Sequence, residues 1–298
     1  MMKMDFTDVD EFVSMFPDEI ETLKNLMTWG CLKQSMKCDS CGDEMKIVLS
    51  MKKKVFRCNR NRCEKKEASC RSGSLFFGSK LPCRTIMKIA RSWIQGESRD
   101  AAARSTKKNT ETITRWYTNF REVVAGVLRT SEVKIGGPGV VVEVDETKLG
   151  KPKYHRGHRV EGVWVVFGLE RTEERRAFCV QVPCRDGETL ERIISTFVAE
   201  GSIVYTDGWK GYTGIASNCN VQHYTVNHSR FFKDPDTGIC TNGVEGLNCA
   251  LKESVLRQHR TEDRVSGCLA EFTWKRANKN RLCEAFIEAL KINLEMFQ

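Results

Sequence analysis

The sequence predicts an α/β protein of at least two domains, on three observations. Three β-rich runs follow one another at 140–144, 162–169 and 177–182, an amphipathic stretch at 188–200 leads to a further strand ending at Asp207, and two cysteine pairs precede them all. Consecutive strands indicate an antiparallel meander, and a short strand after a crossover helix can lie beside the first. With 298 residues, 40% hydrophobic and 29% charged, the chain has enough apolar material for a sizeable core.

No apolar run approaches the roughly 20 residues of a membrane span, and the acidic start MMKMDFTDVDEF lacks the basic and apolar regions of a signal peptide. An intracellular protein without a membrane partner is expected. Fourteen cysteines in such a chain read as thiols and metal ligands, not as a disulfide framework. Charge is unevenly spread: residues 1–135 hold 26 Lys/Arg against 17 Asp/Glu, and residues 136–298 hold 22 of each. Residues 31–135 alone carry 24 bases against 10 acids, the footprint of a polyanion partner such as nucleic acid.

Residues 7–29 read as short amphipathic helices, the second opened by Pro17, and residues 1–30 form an N-terminal helical segment. Residues 31–72 follow as a zinc ribbon. Cys38 and Cys41 stand on one tight turn, Cys58 and Cys63 on another, with the strand-like KIVLS and KKVFR between them. Four thiolates so placed suit tetrahedral Zn2+, a structural site closed by protein on all sides; Cys70 in place of Cys63 stays open as the fourth ligand. Residues 73–135 form a helical region behind the turn-rich connector Gly73–Lys80. Its segments at 83–95, 98–106 and 110–129 suggest a helix-turn-helix, with Ser98 and Thr110 as N-caps and Ile113, Trp116, Tyr117 and Phe120 facing a core. In that geometry Thr112, Arg115 and Asn119 face a DNA groove while Lys107 and Lys108 meet phosphates; an ordinary helical bundle is the alternative. Gly136-Gly137-Pro138-Gly139 reads as the linker to a domain at 136–298.

That domain opens on GVVVEVDETK, where valines 140, 141, 142 and 144 deliver Asp145 to the end of a strand. The strand SIVYTD brings Asp207 to a matching place, although Asp-Gly alone is an ordinary turn signal. Glu245 opens a helix with Val244, Leu247, Leu251 and Val255 at helical spacing, and Lys252 lies seven residues on, along the same face. Asn242 with Glu245 also matches a capping box, in which the glutamate serves only the helix end. In the loop after the first strand, His155, Arg156, His158 and Arg159 read as phosphate contacts or as exposed residues without a task. His228 lines the site or caps a turn.

These residues resemble the ISXO2-like DDE transposases, a group that includes bacterial insertion-sequence enzymes and the eukaryotic Merlin transposons. The resemblance rests on VDET at 144–147, W-x-x-x-G-L-E at 164–170, YTDGWKGY at 205–212, VNHSRFFKDPDTGICTNGVEG at 226–246 and EFTWKR at 271–276, with the ribbon and the connector GSLFFGSKLP ahead of them. It implies a ribonuclease H-like mixed sheet flanked by helices, preceded by the ribbon and the helix-turn-helix-like region. Asp145, Asp207 and Glu245 are then the catalytic triad, holding two Mg2+ or Mn2+ ions, and Lys252 holds a DNA phosphate. Leu247-Asn248-Cys249 departs from the aromatic residues the group usually carries after Glu-Gly.

The function implied is cut-and-paste DNA transposition, with double-stranded terminal inverted repeats and target DNA as partners. Pairing two ends implies at least a homodimer, working in the nucleus if the host is eukaryotic. The alternative is a domesticated DNA-binding protein of the same descent that no longer transposes.

Overall fold

β-Branched residues on both sides of Glu143 favour an extended chain, and pairing with the strand that follows carries it further than its apolar run. In the computed structural model, which describes residues 4–63, 66–130, 134–150, 162–226 and 240–296, it runs Val141–Leu149. The chain divides into two compact units, Met1–Val127 with Asn278–Gln298 and Leu128–Ala277.

In the first unit, α1 (Val9–Met15) and α2 (Glu19–Thr28) are N-capped by the carboxylates of Asp8 and Asp18, so Asp18 and not Pro17 opens the second helix. The ribbon is an antiparallel sheet of β1 (Lys46–Leu49), β2 (Lys54–Arg57) and β3 (Glu67–Ser69) in that order. After the connector come α3 (Cys83–Ile94), α4 (Arg99–Thr106) and α5 (Thr110–Thr130). Ser98 caps α4, but Asn109 and not Thr110 caps α5, its Oδ1 accepting the Thr112 N–H. Three residues separate α4 from α5, and Lys107 closes α4 in the left-handed region at φ 54°.

The second unit's sheet contains β4 (Val141–Leu149), β5 (Val163–Glu170), β6 (Ala177–Val182), β7 (Ile203–Asp207) and β8 (Gln222–Val226). They lie in the order β6-β5-β4-β7-β8. The first three strands form the antiparallel meander, while β7 and β8 add in parallel on the far side of β4. This is the ribonuclease H-like arrangement. Helix α6 (Gly187–Phe197) connects β6 to β7, and the short α7 (Ile215–Asn218) connects β7 to β8. Helices α8 (Asn242–Ser254) and α9 (Val265–Ala277) follow the sheet.

Two apolar layers cover the sheet's faces. Val142, Val144, Val166 and Val204 pack with Leu190, Ile193 and Ile194 of α6. Leu149, Val165, Phe167 and Leu169 pack with Val244, Leu247 and Leu251 of α8 and with Val265 and Leu269 of α9. Since side chains alternate along a strand, Glu143, Asp145 and Thr147 share the face of Leu149, under α8.

Three boundaries differ from the sequence reading, each for a tertiary reason. Asp145 lies inside β4 and not at its end, because β5 pairs along the strand as far as Leu149↔Val163. The glycine run at 136–139 is held in place: the Gly136 N–H donates to Glu170, the Gly137 N–H to Ser202 Oγ, and Ile135 bridges to Val198. Gly136, at φ 84°, has no room for a Cβ beside Ser202 and Val142. Finally, α10 (Leu282–Met296) lies in the first unit and not with the domain that precedes it. Phe286 packs edge-on against Phe120, ring centres 5.3 Å apart, and 5.6 Å from Trp93.

Phe286 is fully buried. Phe286→Ala is expected to destabilise the first unit by about 3 kcal/mol or more, read from denaturant unfolding of the full chain.

Candidate functional site

The parallel register of β4 and β7 pairs Val141 with Ile203, Val142 with Val204 and Glu143 with Tyr205. Asp145 and Asp207 each follow the last of these pairs by two residues. Both point to the face covered by α8, which carries Glu245 in its first turn. The Asp145 carboxyl is pushed up to about 7, by burial first, while Glu146, Asp207 and Glu245 each add repulsion. Its Oδ1 accepts the Glu146 N–H at 2.8 Å, and Asp207 Oδ1 accepts the Trp209 N–H at 2.9 Å. The turn role open to Asp207 is thus real and engages one of its oxygens.

The capping box is not formed. Thr241 is the N-cap position, with no side-chain cap, so Glu245 falls one residue beyond the place such a box requires. The N-terminus of α8 is held by Glu143 instead, whose Oε2 accepts the Val244 N–H at 2.8 Å. Gly243 allows this approach, since a Cβ there would stand 2.9 Å from the Glu143 carboxylate. Arg171 completes the tie: its Nε donates to Glu143, its NH2 group to the Cys240 carbonyl at 2.5 Å, and its guanidinium stacks on Tyr205 at 5.1 Å. Glu143 and Arg171 went unassigned in the sequence reading. An acid within a valine run was the available signal, because such a residue is either a strand-face ligand or a buried anchor.

A second network lies under the opposite face. Glu146 receives Arg185 Nη1 at 3.0 Å and the Tyr212 hydroxyl at 2.7 Å. Arg185 is sandwiched between Trp164 at 4.6 Å and Trp209 at 4.0 Å. Burial, then the Glu146 charge, pushes the Tyr212 phenol well above its ordinary range, so it remains a donor. Trp209 also donates from Nε1 to the Arg185 carbonyl at 3.2 Å while its backbone holds Asp207. The aromatic residues of YTDGWKGY therefore brace the loop that carries the acid.

Lys252 is exposed in the last turn of α8, directly after the buried Leu251. In the departing stretch Leu247 is buried in the core and Cys249 is exposed, so the change leaves the helix packed. Arg156 and His158, with His155, Arg159 and His228, lie outside the described residues. In the first unit Lys107 and Arg115 are exposed, and Lys108 and Asn119 are half-buried. Arg115 and Asn119 stand on the α5 stripe opposite the buried Ile113 and Phe120.

Among the described residues, the four cysteines Cys38, Cys41, Cys58 and Cys63 gather ligand atoms within 4.8 Å of one another. Cys70 is buried outside that group, which leaves Cys63 as the fourth member. Sulfur separations of 3.9 Å for Cys38–Cys63 and 3.7 Å for Cys41–Cys58 agree with the ~3.8 Å edge of a tetrahedron built on 2.3 Å Zn–S bonds. Backbone hydrogen bonds, from Ser40 first, lower the Cys38 thiol to about 7, while sharing a proton with Cys41 pushes Cys63 up to about 12. The set fits a closed structural cation site. Asp145, Asp207 and Glu245 offer an all-oxygen donor set, which fits hard divalent cations.

Residues 134–277 match the family described as the ISXO2-like transposase domain. That span takes in all five strands of the larger sheet together with α6 to α9. Among solved structures, the catalytic core domain of BIV integrase is similar at 14% identity and a TM-score of 0.32, over 47% of this chain and 84% of that one. No curated protein matches the chain.

Two outcomes are expected. Cys63→Ser should lose bound zinc in elemental analysis of the purified chain, whereas Cys70→Ser should keep one zinc per chain. For Asp145, a carboxyl raised in the folded state stabilises below its unfolded pKa and loses that contribution as pH rises towards 7. Because a cation displaces the same proton, Mg2+ should raise the melting temperature more at pH 8 than at pH 5, and Asp145→Asn should remove the difference.

Proposed function

We propose, from the match of residues 134–277 to the ISXO2-like transposase domain, that the chain is a cut-and-paste DNA transposase with Asp145, Asp207 and Glu245 as its catalytic acids. The observation that supports this reading best is that Asp207, two residues past the paired Glu143 and Tyr205, and Glu245 of α8 both lie near enough to raise the Asp145 carboxyl. Carboxylates that repel one another are kept together at a cost to stability, which a cation-binding role explains.

Asp145 sits inside a strand paired on both edges, and so gives the site its fixed point. Asp207 keeps one oxygen on the Trp209 N–H and has the other for a ligand. Glu245 is carried by a helix whose end is fixed to β4 through Glu143. Two divalent ions held by these acids, Mg2+ or Mn2+, supply activation of the attacking oxygen and stabilisation of the leaving one in phosphodiester hydrolysis and strand transfer. Lys252 offers a point charge to a DNA phosphate. The basic helical region and the zinc ribbon of the first unit bind the double-stranded transposon ends, Lys107 and Lys108 on phosphates and Arg115 and Asn119 in a groove. Arg156 and His158 are assigned to DNA as well. Working on two ends requires at least a dimer.

The test is strand cleavage and joining by the full chain on candidate terminal-repeat duplexes with Mg2+ or Mn2+. Asp145→Asn, Asp207→Asn and Glu245→Gln should each bring cleavage below about one thousandth of wild type while DNA binding persists. Undiminished cleavage in Asp145→Asn would sink the assignment. Binding without cleavage by the unaltered chain would leave a DNA-binding protein of transposase descent.

A further inference from the structure

The connector between ribbon and helices carries two adjacent phenylalanines with opposite fates. Phe76 is buried at 1% exposure, whereas Phe77 is 60% exposed. Among the described residues, no other phenylalanine or tryptophan is so exposed. Exposure here does not come from a slack loop. The Phe77 N–H donates to the Ser74 carbonyl at 3.0 Å, the Ser74 hydroxyl donates to the Arg71 carbonyl at 2.7 Å, and the Leu81 N–H donates to Ser79 Oγ at 3.1 Å. Arg71 ties the ends together, donating to the Leu81 carbonyl at 2.8 Å and pairing with Glu19 at 2.7 Å. Gly73 and Gly78, both at φ 74°, make the bends that bring Phe77 to the tip.

That tip borders a groove of about 560 Å³ whose other wall is α5. Leu75, Phe77 and Lys80 line one side, and Thr112, Arg115 and Asn119 line the other, with Glu111 the only acid in the lining. The α5 side is thus the stripe already assigned to a DNA groove. Residues 75–119 hold nine Lys/Arg against three Asp/Glu. A polyanion whose interior is a stack of apolar ring faces complements both the charge and the exposed ring.

We propose that Phe77 is a DNA wedge: with α5 seated on a duplex, the ring inserts between adjacent base pairs and unstacks them. The inference rests on the reading of the first unit as DNA-binding. Apolar side chains inserted at a base step unwind and kink the duplex, and the contact is tolerant of sequence because every base has a ring face. Lys80 and Arg115, on either side of the groove, hold phosphates of the same step.

The wedge is testable without knowledge of the terminal repeat. Full-length protein is bound to closed circular plasmid without added divalent cation, the plasmid is relaxed by a topoisomerase that requires none, and the topoisomers are resolved after the protein is removed. Wild type is expected to shift the linking-number distribution in proportion to protein bound. Phe77→Ala should bind with about fivefold or more lower affinity and leave the distribution unshifted even at saturation. Phe77→Leu, which keeps an apolar wedge, should retain most of the shift. Since the ring is exposed, both variants should keep the zinc content and helical circular dichroism of wild type. A wild-type protein that binds plasmid without shifting it, or an equal shift from Phe77→Ala, overturns the wedge and leaves DNA binding standing. Failure of wild type to bind plasmid overturns both.

Discussion

A single buried carboxylate holds the candidate centre together. Glu143 is 2% exposed in the middle of the sheet, a position that is costly for a charge unless every oxygen is satisfied. One oxygen accepts from the first turn of α8 and the other from Arg171, so the strand carrying Asp145 is tied to the helix carrying Glu245. The helix N-terminus favours negative charge, which strengthens the tie. Asp145 stands two positions after Glu143 on one strand face, and Glu245 directly follows Val244, the backbone partner of Glu143. The spacing of the acids is therefore inherited from this one anchor.

The sheet's other face works differently. There Glu146 is held by an arginine lying between two indole rings and by a tyrosine that stays protonated. Guanidinium stacking and ion pairing together leave Arg185 few conformations, and Trp209 conveys that rigidity to the backbone beside Asp207. Adjacent residues in β4 thus serve opposite faces, Asp145 towards α8 and Glu146 towards α6, and alternation along a strand is what makes this possible.

Much of this was legible in the sequence, because it follows from local pattern. The meander, the crossover to a parallel strand and the cysteine pairs depend on β-branched runs, helical spacing and turn residues that neighbours alone dictate. Asp145 and Asp207 were matched by assuming the strand after the crossover helix lay beside the first, and β7 does pair in parallel with β4. What escaped the sequence was set at a distance. The end of β4 depends on how far β5 extends, the cap of α8 comes from a residue a hundred positions earlier, and the glycine run at 136–139 is held by Glu170 and Ser202. Glu143 looked like an interruption in an apolar run, and only its partners give it meaning. The choice between Cys63 and Cys70 turned on a three-dimensional grouping that spacing could not supply.

The return of α10 to the first unit makes that unit discontinuous, with the 150 residues Leu128–Ala277 inserted in its sequence. During synthesis, the aromatic cluster around Trp93 and Phe120 lacks Phe286 until the ribosome has made the whole of the insert. Closing so long an unstructured loop is slow, but once the insert folds, the separation of its own two ends governs closure in place of its length. A lesion that loosens the ends of the insert would then delay the joining of Phe286 to Trp93 and Phe120, and be felt as exposed aromatic surface far from it in sequence.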